Sequence, residues 1–205
     1  MYKRTFLHIG CGPKSKSDTT RGFASDEWSE IRFDINEDAK PDIVGTMTDM
    51  KAVASGSVDA IFSSHNIEHL YPHEVGDAVK EFLRVLRPDG FLVLTCPDLQ
   101  SVCALIAQDK LTEPAYHAPA GPISPLDILY GHRPQMAAGN LFMAHRCGFT
   151  QRALDGTLRH HGFATVASMR RPAKPFFDLW ALASKAVRGD EEMRLLAAAH
   201  FPPFA

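Results

Sequence analysis

The sequence predicts an α/β fold built on an open, mostly parallel sheet. Three observations carry the expectation. Short apolar runs recur between turn signals, and helical patterns stand between those runs. The runs are also apolar at consecutive rather than alternate positions, as strands covered on both faces require. With 205 residues, 45% of them hydrophobic, the chain can bury one ordinary core, so a single domain over 1–205 is expected.

The elements follow in order. "TFLHIG" (Thr5 to Gly10) reads as a buried strand ended by the turn "GCGP". The next stretch, "KSKSDTTRGFASDEW", has no convincing apolar stripe, so the first crossover is expected to be irregular or only briefly helical. "EIRFDI" (Glu30 to Ile35), "PDIVG" (Pro41 to Gly45) and "SVDAIFSS" (Ser57 to Ser64) are further strands. "HEVGDAVKEFLRVLRPDG" places Val75, Ala78, Val79, Phe82 and Leu86 on one helical face. Pro88-Asp89-Gly90 then predicts a turn with Gly90 at positive φ, leading into the apolar strand "FLVLTCP" (Phe91 to Pro97).

Asp98 is the expected N-cap of a helix over "LQSVCALIAQ". From about 111 to 134 the prolines crowd, which predicts an irregular excursion rather than a packed element. "TQRALDGTLRHHGF" reads as a helix capped by Thr150 and stopped by Gly162. "ATVASMR" and "FFDLWALASKA" suit an antiparallel pair, and a last amphipathic helix begins near Asp190, where its acids suit the helix dipole.

Composition excludes several functions. A net charge of −2 gives no electrostatic case for nucleic acid or an anionic membrane. Cys11, Cys96, Cys103 and Cys147 lie at no metal-knuckle spacing, and "MYKRTFLHIG" reaches a glycine turn too early for a leader or a spanning helix. A reduced, cytoplasmic protein with no membrane span is expected.

The site signals cluster at strand ends. G-x-G after a strand is weak alone, and Ser15 stands where a dinucleotide fingerprint needs its third glycine, which argues against a pyrophosphate or NAD-type cofactor. Asp34, ending the second strand, is placed to accept from both hydroxyls of a ribose. Asp49, after the third, is placed to accept from an adenine amine. Together these predict a nucleoside pocket without a phosphate cradle.

The segments "FLHIGCGP", "IRFDIN", "DIVGTMTDM", "SVDAIFSSHNIEHL" and "EFLRVLRPDGFLVLTCPDL" resemble the class I S-adenosylmethionine-dependent methyltransferases, in particular a small bacterial branch of uncertain substrate. The resemblance runs from Thr5 to about Leu99 and resumes more weakly in "HRCGFTQRALDGTLRHHGFATV". It implies a Rossmann-like seven-stranded, mostly parallel sheet of order 3-2-1-4-5-7-6 with helices on both faces. It implies S-adenosylmethionine as cofactor and S-adenosylhomocysteine as product. Gly10, Cys11 and Gly12 then face the methionine part through backbone groups, Asp34 binds the ribose, and Ile35 packs on the adenine. Asp49 and the Met50 amide hold the adenine edge, and Ser64 and His65 lie beside the sulfonium. Two departures from the family pattern stand out: the chain opens on its first strand, and the polar segment from Gly12 to Asp34 is long.

"SHNIEHLYP" also fits H-x-x-E-H, with His65, Glu68 and His69 as the set for a zinc hydrolase. That chemistry needs a stable helix and a third ligand, whereas a strand precedes the motif and Tyr71-Pro72 halts it, so no metal is expected. His69 and His145 are the candidate catalytic bases at the mouth of the sheet, among His65, His117 and His132, with His65 turned to the cofactor and His69 to the acceptor. Arg133 and Arg146 are candidates for binding an anionic acceptor. The expected function is methyl transfer to an oxygen or nitrogen of a small molecule or cell-surface precursor. The alternative is a cofactor-binding module without chemistry.

Overall fold

The computed structural model describes residues 3–171 and 177–203. Seven strands form one sheet: β1 (Arg4–Ile9), β2 (Trp28–Asp34), β3 (Ile43–Val44), β4 (Val58–Ser64), β5 (Leu86–Pro97), β8 (Thr165–Arg171) and β9 (Asp178–Ser184), with β6 (Tyr116–Ala118) and β7 (Gly121–Ile123) paired separately as a hairpin. The order is β3-β2-β1-β4-β5-β9-β8. The hairpin, inserted between β5 and the final pair, is the difference in detail; without it this is the expected 3-2-1-4-5-7-6. Strands β1 to β5 run parallel, and β9 is antiparallel to both β5 and β8. Phe176, the first residue of the last strand expectation, lies outside the described residues.

Consecutive apolar residues are explained by two cores, one on each sheet face. Leu7, Ile61, Leu92 and Leu94 pack under α2 (Val75–Val85) and α6 (Gln151–His160), while Phe6, Ala60, Phe62, Phe91 and Val93 face α1 (Arg21–Ala24) and α7 (Asp190–His200). The first crossover is, as expected, one 3-10 turn and the four residues of α1. Asp98 caps α3 (Leu99–Ile106) and Thr150 caps α6.

Two expectations fail locally. The last buried apolar residue of α2 is Val85, and Leu86 already pairs with Val58. Pairing then jumps to Ala60 and Phe91, so 87–90 bulge within β5 instead of forming a separate turn. Gly90 is not at positive φ; its constraint is steric, since a Cβ there would meet Asp59 O and Arg87 O, each at 3.1 Å.

The 111–134 stretch is packed, not irregular. After the hairpin come α4 (Pro125–Tyr130) and α5 (Arg133–Ala137), and Val102, Ala115, Ile123, Ile128 and Phe177 form a third core. Pro125 and Pro134 sit in the first turn of their helices, where the missing N–H costs nothing. Ser124 and Asp127 close a capping box over α4. This lobe stands beside the carboxyl ends of β4 and β5.

His200 closes the second core. It is buried beside the Phe23 and Phe91 rings, with Nδ1 2.7 Å from Thr20 Oγ1. Burial, with the Arg4 charge adding, pushes its pKa from 6.5 down to about 4. Above pH 6.5 neither folded nor unfolded chain protonates it; below, the unfolded chain does so first, and stability falls until about pH 4. The loss expected across that window is about 3 kcal/mol. Denaturant titrations at pH 7 and pH 4.5 should show a smaller drop for His200→Phe than for the natural chain. Equal drops would refute the assignment.

Candidate active site

The sheet reverses its strand order between β1 and β4, and a crevice at their carboxyl ends is the expected ligand position. After β1 the chain turns through Gly10 (φ +63) and Gly12 (φ +51), a conformation that costs other residues strain. The side of Gly10 is filled by Asn66: a Cβ there would lie 1.9 Å from Asn66 Oδ1. Asn66 Nδ2 donates to Ile9 O and Ser64 O, both at 3.0 Å, so the tips of β1 and β4 are stitched together. Gly12 has nothing within 4 Å where a Cβ would stand, and its side is open to a ligand.

The amides of this turn are committed. Gly10 N and Cys11 N donate to Phe33 O, and Gly12 N donates to Asp34 Oδ2 at 2.7 Å. What the turn can still offer is carbonyl oxygen, each with a second lone pair. Carbonyls receive an ammonium and repel a phosphate, in keeping with the missing third glycine. Asp34 is buried, and its other oxygen accepts from Asn36 N at 2.8 Å. Beside it Ile35 is 50% exposed, an apolar surface at the strand tip. These features fit an adenosine bearing an amino-acid tail.

The adenine edge needs a correction. The Met50 amide is not available, because it donates to Glu81 Oε2 of α2 at 2.6 Å, and Arg84 locks the same Glu81 and the Met50 carbonyl. Asp49 lies at the surface, paired with Lys51 at 2.7 Å. Ser64 Oγ lies 2.9 Å from Thr95 Oγ1 at the end of β4.

His65 follows in the left-handed region (φ +56), strain of a kind that collects at functional sites. Ile67–His69 is a single 3-10 turn, as short as expected, and it does not supply the stable helix an H-x-x-E-H zinc site needs. Its middle residue, Glu68, is 1% exposed, and neither carboxylate oxygen has a hydrogen-bond partner among the described residues. His65 Nδ1 is 3.4 Å away, an ion-pair distance rather than a well-made hydrogen bond. Burial pushes the Glu68 carboxyl up, but His65, His69 and His145 together outweigh it and hold it below the usual carboxylate range. For His65, burial pulls down and Glu68 overrides it upward.

The segment carrying His145 docks on this turn. Arg146 N and Cys147 N both donate to Glu68 O, at 2.8 and 3.1 Å. His69 Nδ1 meets Ala144 O at 3.1 Å, and His145 Nδ1 meets Ile128 O at 2.7 Å, so each ring donates its Nδ1–H to a carbonyl and leaves its other nitrogen uncommitted. The two rings lie 4.8 Å apart. Burial lowers the His145 pKa, favouring the neutral imidazole at neutral pH. A cavity of about 220 Å³ opens here, bounded by His65, Glu68, His69, His132, His145, Tyr116 and Phe177. The structure thus joins His65, His69 and His145, which the sequence named. It adds Glu68, which the sequence offered only as a member of the H-x-x-E-H set.

Other candidates go elsewhere. Arg133 is held by Asp127 at 2.7 Å, and Arg146 donates to His69 O while lying over the Tyr71 ring, so neither is directed at an anionic acceptor. His117 is exposed on β6. Burial pushes the Cys11 and Cys147 thiols up, the latter to about 11, which favours the protonated form of both.

A family model described as a methyltransferase domain matches residues 7–94. The fold is similar to a SAM-dependent methyltransferase from Methanosarcina mazei (17% identity, 92% of this chain and 95% of that one, TM-score 0.60) and to one from Archaeoglobus fulgidus (16%, 89% and 86%, 0.57). It is also similar to the 1,6-didemethyltoxoflavin-N1-methyltransferase of Burkholderia thailandensis, solved with that compound and S-adenosylhomocysteine (16%, 90% and 72%, 0.57). No curated protein matches the sequence. Among the described residues no helix is long and apolar enough to cross a membrane. The family match runs from within β1 to within β5, the strands whose tips carry the glycine turn and the Asp34 carboxylate, and over that stretch the chain is similar to the methyltransferase domain.

Proposed function

We propose that the enzyme methylates an oxygen or nitrogen atom of a small molecule or cell-surface precursor seated in the His69–His145 cavity. The observation that supports this is the pairing of two imidazoles, each with Nδ1 fixed by a carbonyl and its second nitrogen left for the acceptor. S-adenosylmethionine, when bound, supplies a methyl group already activated on a sulfonium. Gly10, Cys11, Gly12, Asp34, Ile35, Asp49, Ser64 and His65 hold it, Asp34 at the ribose and Ile35 at the adenine. The chain's remaining tasks are to align the acceptor and to take its proton. His69 and His145 do both, the neutral His145 ring being ready to accept. At about 220 Å³ the cavity suits a small acceptor or the reactive end of a longer one.

An acceptor screen with labelled methyl donor tests this, beside calorimetry with S-adenosylhomocysteine. His69→Ala and His145→Ala should each lower kcat about 10²- to 10⁴-fold on any acceptor found, with product affinity little changed. Cofactor binding with no turnover on any acceptor would point instead to a binding module.

A further inference from the structure

We propose that Glu68, His69 and His145 form a binding site for one divalent transition-metal ion of the zinc class. One ligand atom from each residue lies within 4.8 Å of the others. This set differs from the H-x-x-E-H one: His65 drops out, and the third ligand comes from a segment 76 positions beyond His69.

Three features point to a cation. The first is Glu68 itself. Among the described residues, the other buried carboxylates all receive direct hydrogen bonds: Asp34 from two amides, Asp98 from Ser101 and Arg170, Asp127 from Ser124 and Arg133, and Asp178 from Arg171. Glu68 is as buried as these and has none; its only close charge partner among the described residues is His65 Nδ1, at the ion-pair distance of 3.4 Å. A carboxylate taken out of water without donors is strongly disfavoured, and a bound cation answers that cost directly.

The second feature is the outer partner of each imidazole. Metal-bound histidines characteristically donate their other N–H to a carbonyl or carboxylate, which fixes the tautomer and aims the ligand nitrogen. His69 and His145 do so to Ala144 O and Ile128 O.

The third is anchorage. The Glu68 carbonyl holds the amides of Arg146 and Cys147, so all three ligands sit on two segments bonded to each other. At a tetrahedral ion with bonds of about 2.0 Å, neighbouring ligands stand roughly 3.3 Å apart, so the side chains need draw in by about 1.5 Å at most. Two imidazoles and a carboxylate suit zinc, iron or cobalt better than magnesium or calcium. Three protein ligands at the wall of a cavity leave a position open, the pattern of catalytic rather than structural sites. With the ion bound, the two imidazoles serve as its ligands in place of the base role proposed above, which belongs to the metal-free protein.

The site stands on geometry and does not require the methyl-transfer reading. The 205-residue chain, stripped with a chelator and then titrated with zinc chloride alone, should bind one ion per chain with a Kd of micromolar or tighter. Glu68→Gln and His145→Gln should weaken binding at least ~100-fold, since even outer-sphere changes cost 10- to 100-fold. His161→Gln, on the neighbouring His160–His161 pair, should leave it unchanged. Cooperative melting of each variant without zinc shows that it is folded, and His69→Gln replaces any variant that fails. Absence of saturable binding overturns the proposal, as does stoichiometric binding that survives both ligand changes. S-adenosylhomocysteine affinity, measured on the same stripped protein, reports the cofactor site separately.

Discussion

Asp34→Ala is expected to weaken S-adenosylhomocysteine binding about 100-fold, the loss of roughly 3 kcal/mol. The carboxylate has two tasks that alanine cannot perform. It accepts from Gly12 N at 2.7 Å and Asn36 N at 2.8 Å, so it fixes the glycine turn to the tip of β2. Its remaining lone pairs are the ones proposed to receive the ribose hydroxyls. Hydrogen bonds to a charged group contribute about 1.5–3 kcal/mol each, and losing two with the turn's preorganisation reaches the stated size. Asp34→Asn should fall between, since one carbonyl oxygen remains but the new NH₂ faces a backbone donor. Calorimetry on the three proteins decides. If alanine binds the product as tightly as aspartate, the ribose lies elsewhere.

The parts of the molecule legible in the sequence are those whose causes are local. β1, β4 and β5 announce themselves because both faces are buried, which leaves a continuous apolar run. Caps at Asp98 and Thr150 depend on a side chain and an amide two or three residues away. The 111–134 lobe was also locally encoded, but in the wrong currency for a proline count: Ser124-Pro125-x-Asp127 is a helix start, not a breaker. Pro88-Asp89-Gly90 suggests turn geometry for Gly90, whereas the backbone oxygen of Asp59, on a different strand, is among the atoms that exclude a side chain there.

The site's misread residues fail for a different reason: their partners are remote. Nothing near Met50 says that Glu81 will take its amide. Nothing in H-N-I-E-H says that residues 144–147 will dock on it, bring His145 beside His69 and leave Glu68 without donors. A motif gives the residue types. The long-range packing decides whether they become a helix face, a salt bridge or a pocket wall.

That packing makes Gly131 the most tightly enclosed glycine of the 111–145 stretch. Its φ is +98, and a Cβ added there would lie 1.9 Å from Met143 O, 2.9 Å from Met143 C and 3.0 Å from Ala144 Cα. All three are backbone atoms, so no side-chain rotation relieves the clash. Gly131 bridges Ala144 directly, and the neighbouring Tyr130 O receives His145 N at 3.2 Å. Forcing these segments apart therefore moves Ala144 O off His69 and breaks the His145 bond to Ile128 O. Overpacking and left-handed strain together should cost about 3–5 kcal/mol. For a chain of this size that lowers the melting midpoint by roughly 6–20 °C. Turnover should be lost with the His69–His145 arrangement, while product affinity, carried mainly by the glycine turn and Asp34, stays within about threefold. Gly139→Ala provides the control, because φ there is +97 but no atom lies within 4 Å of the added carbon. It should show the strain alone, about 1–2 kcal/mol, and an intact pocket. If Gly131→Ala and Gly139→Ala melt and turn over alike, the docking of 143–145 against α4 does not build the acceptor wall.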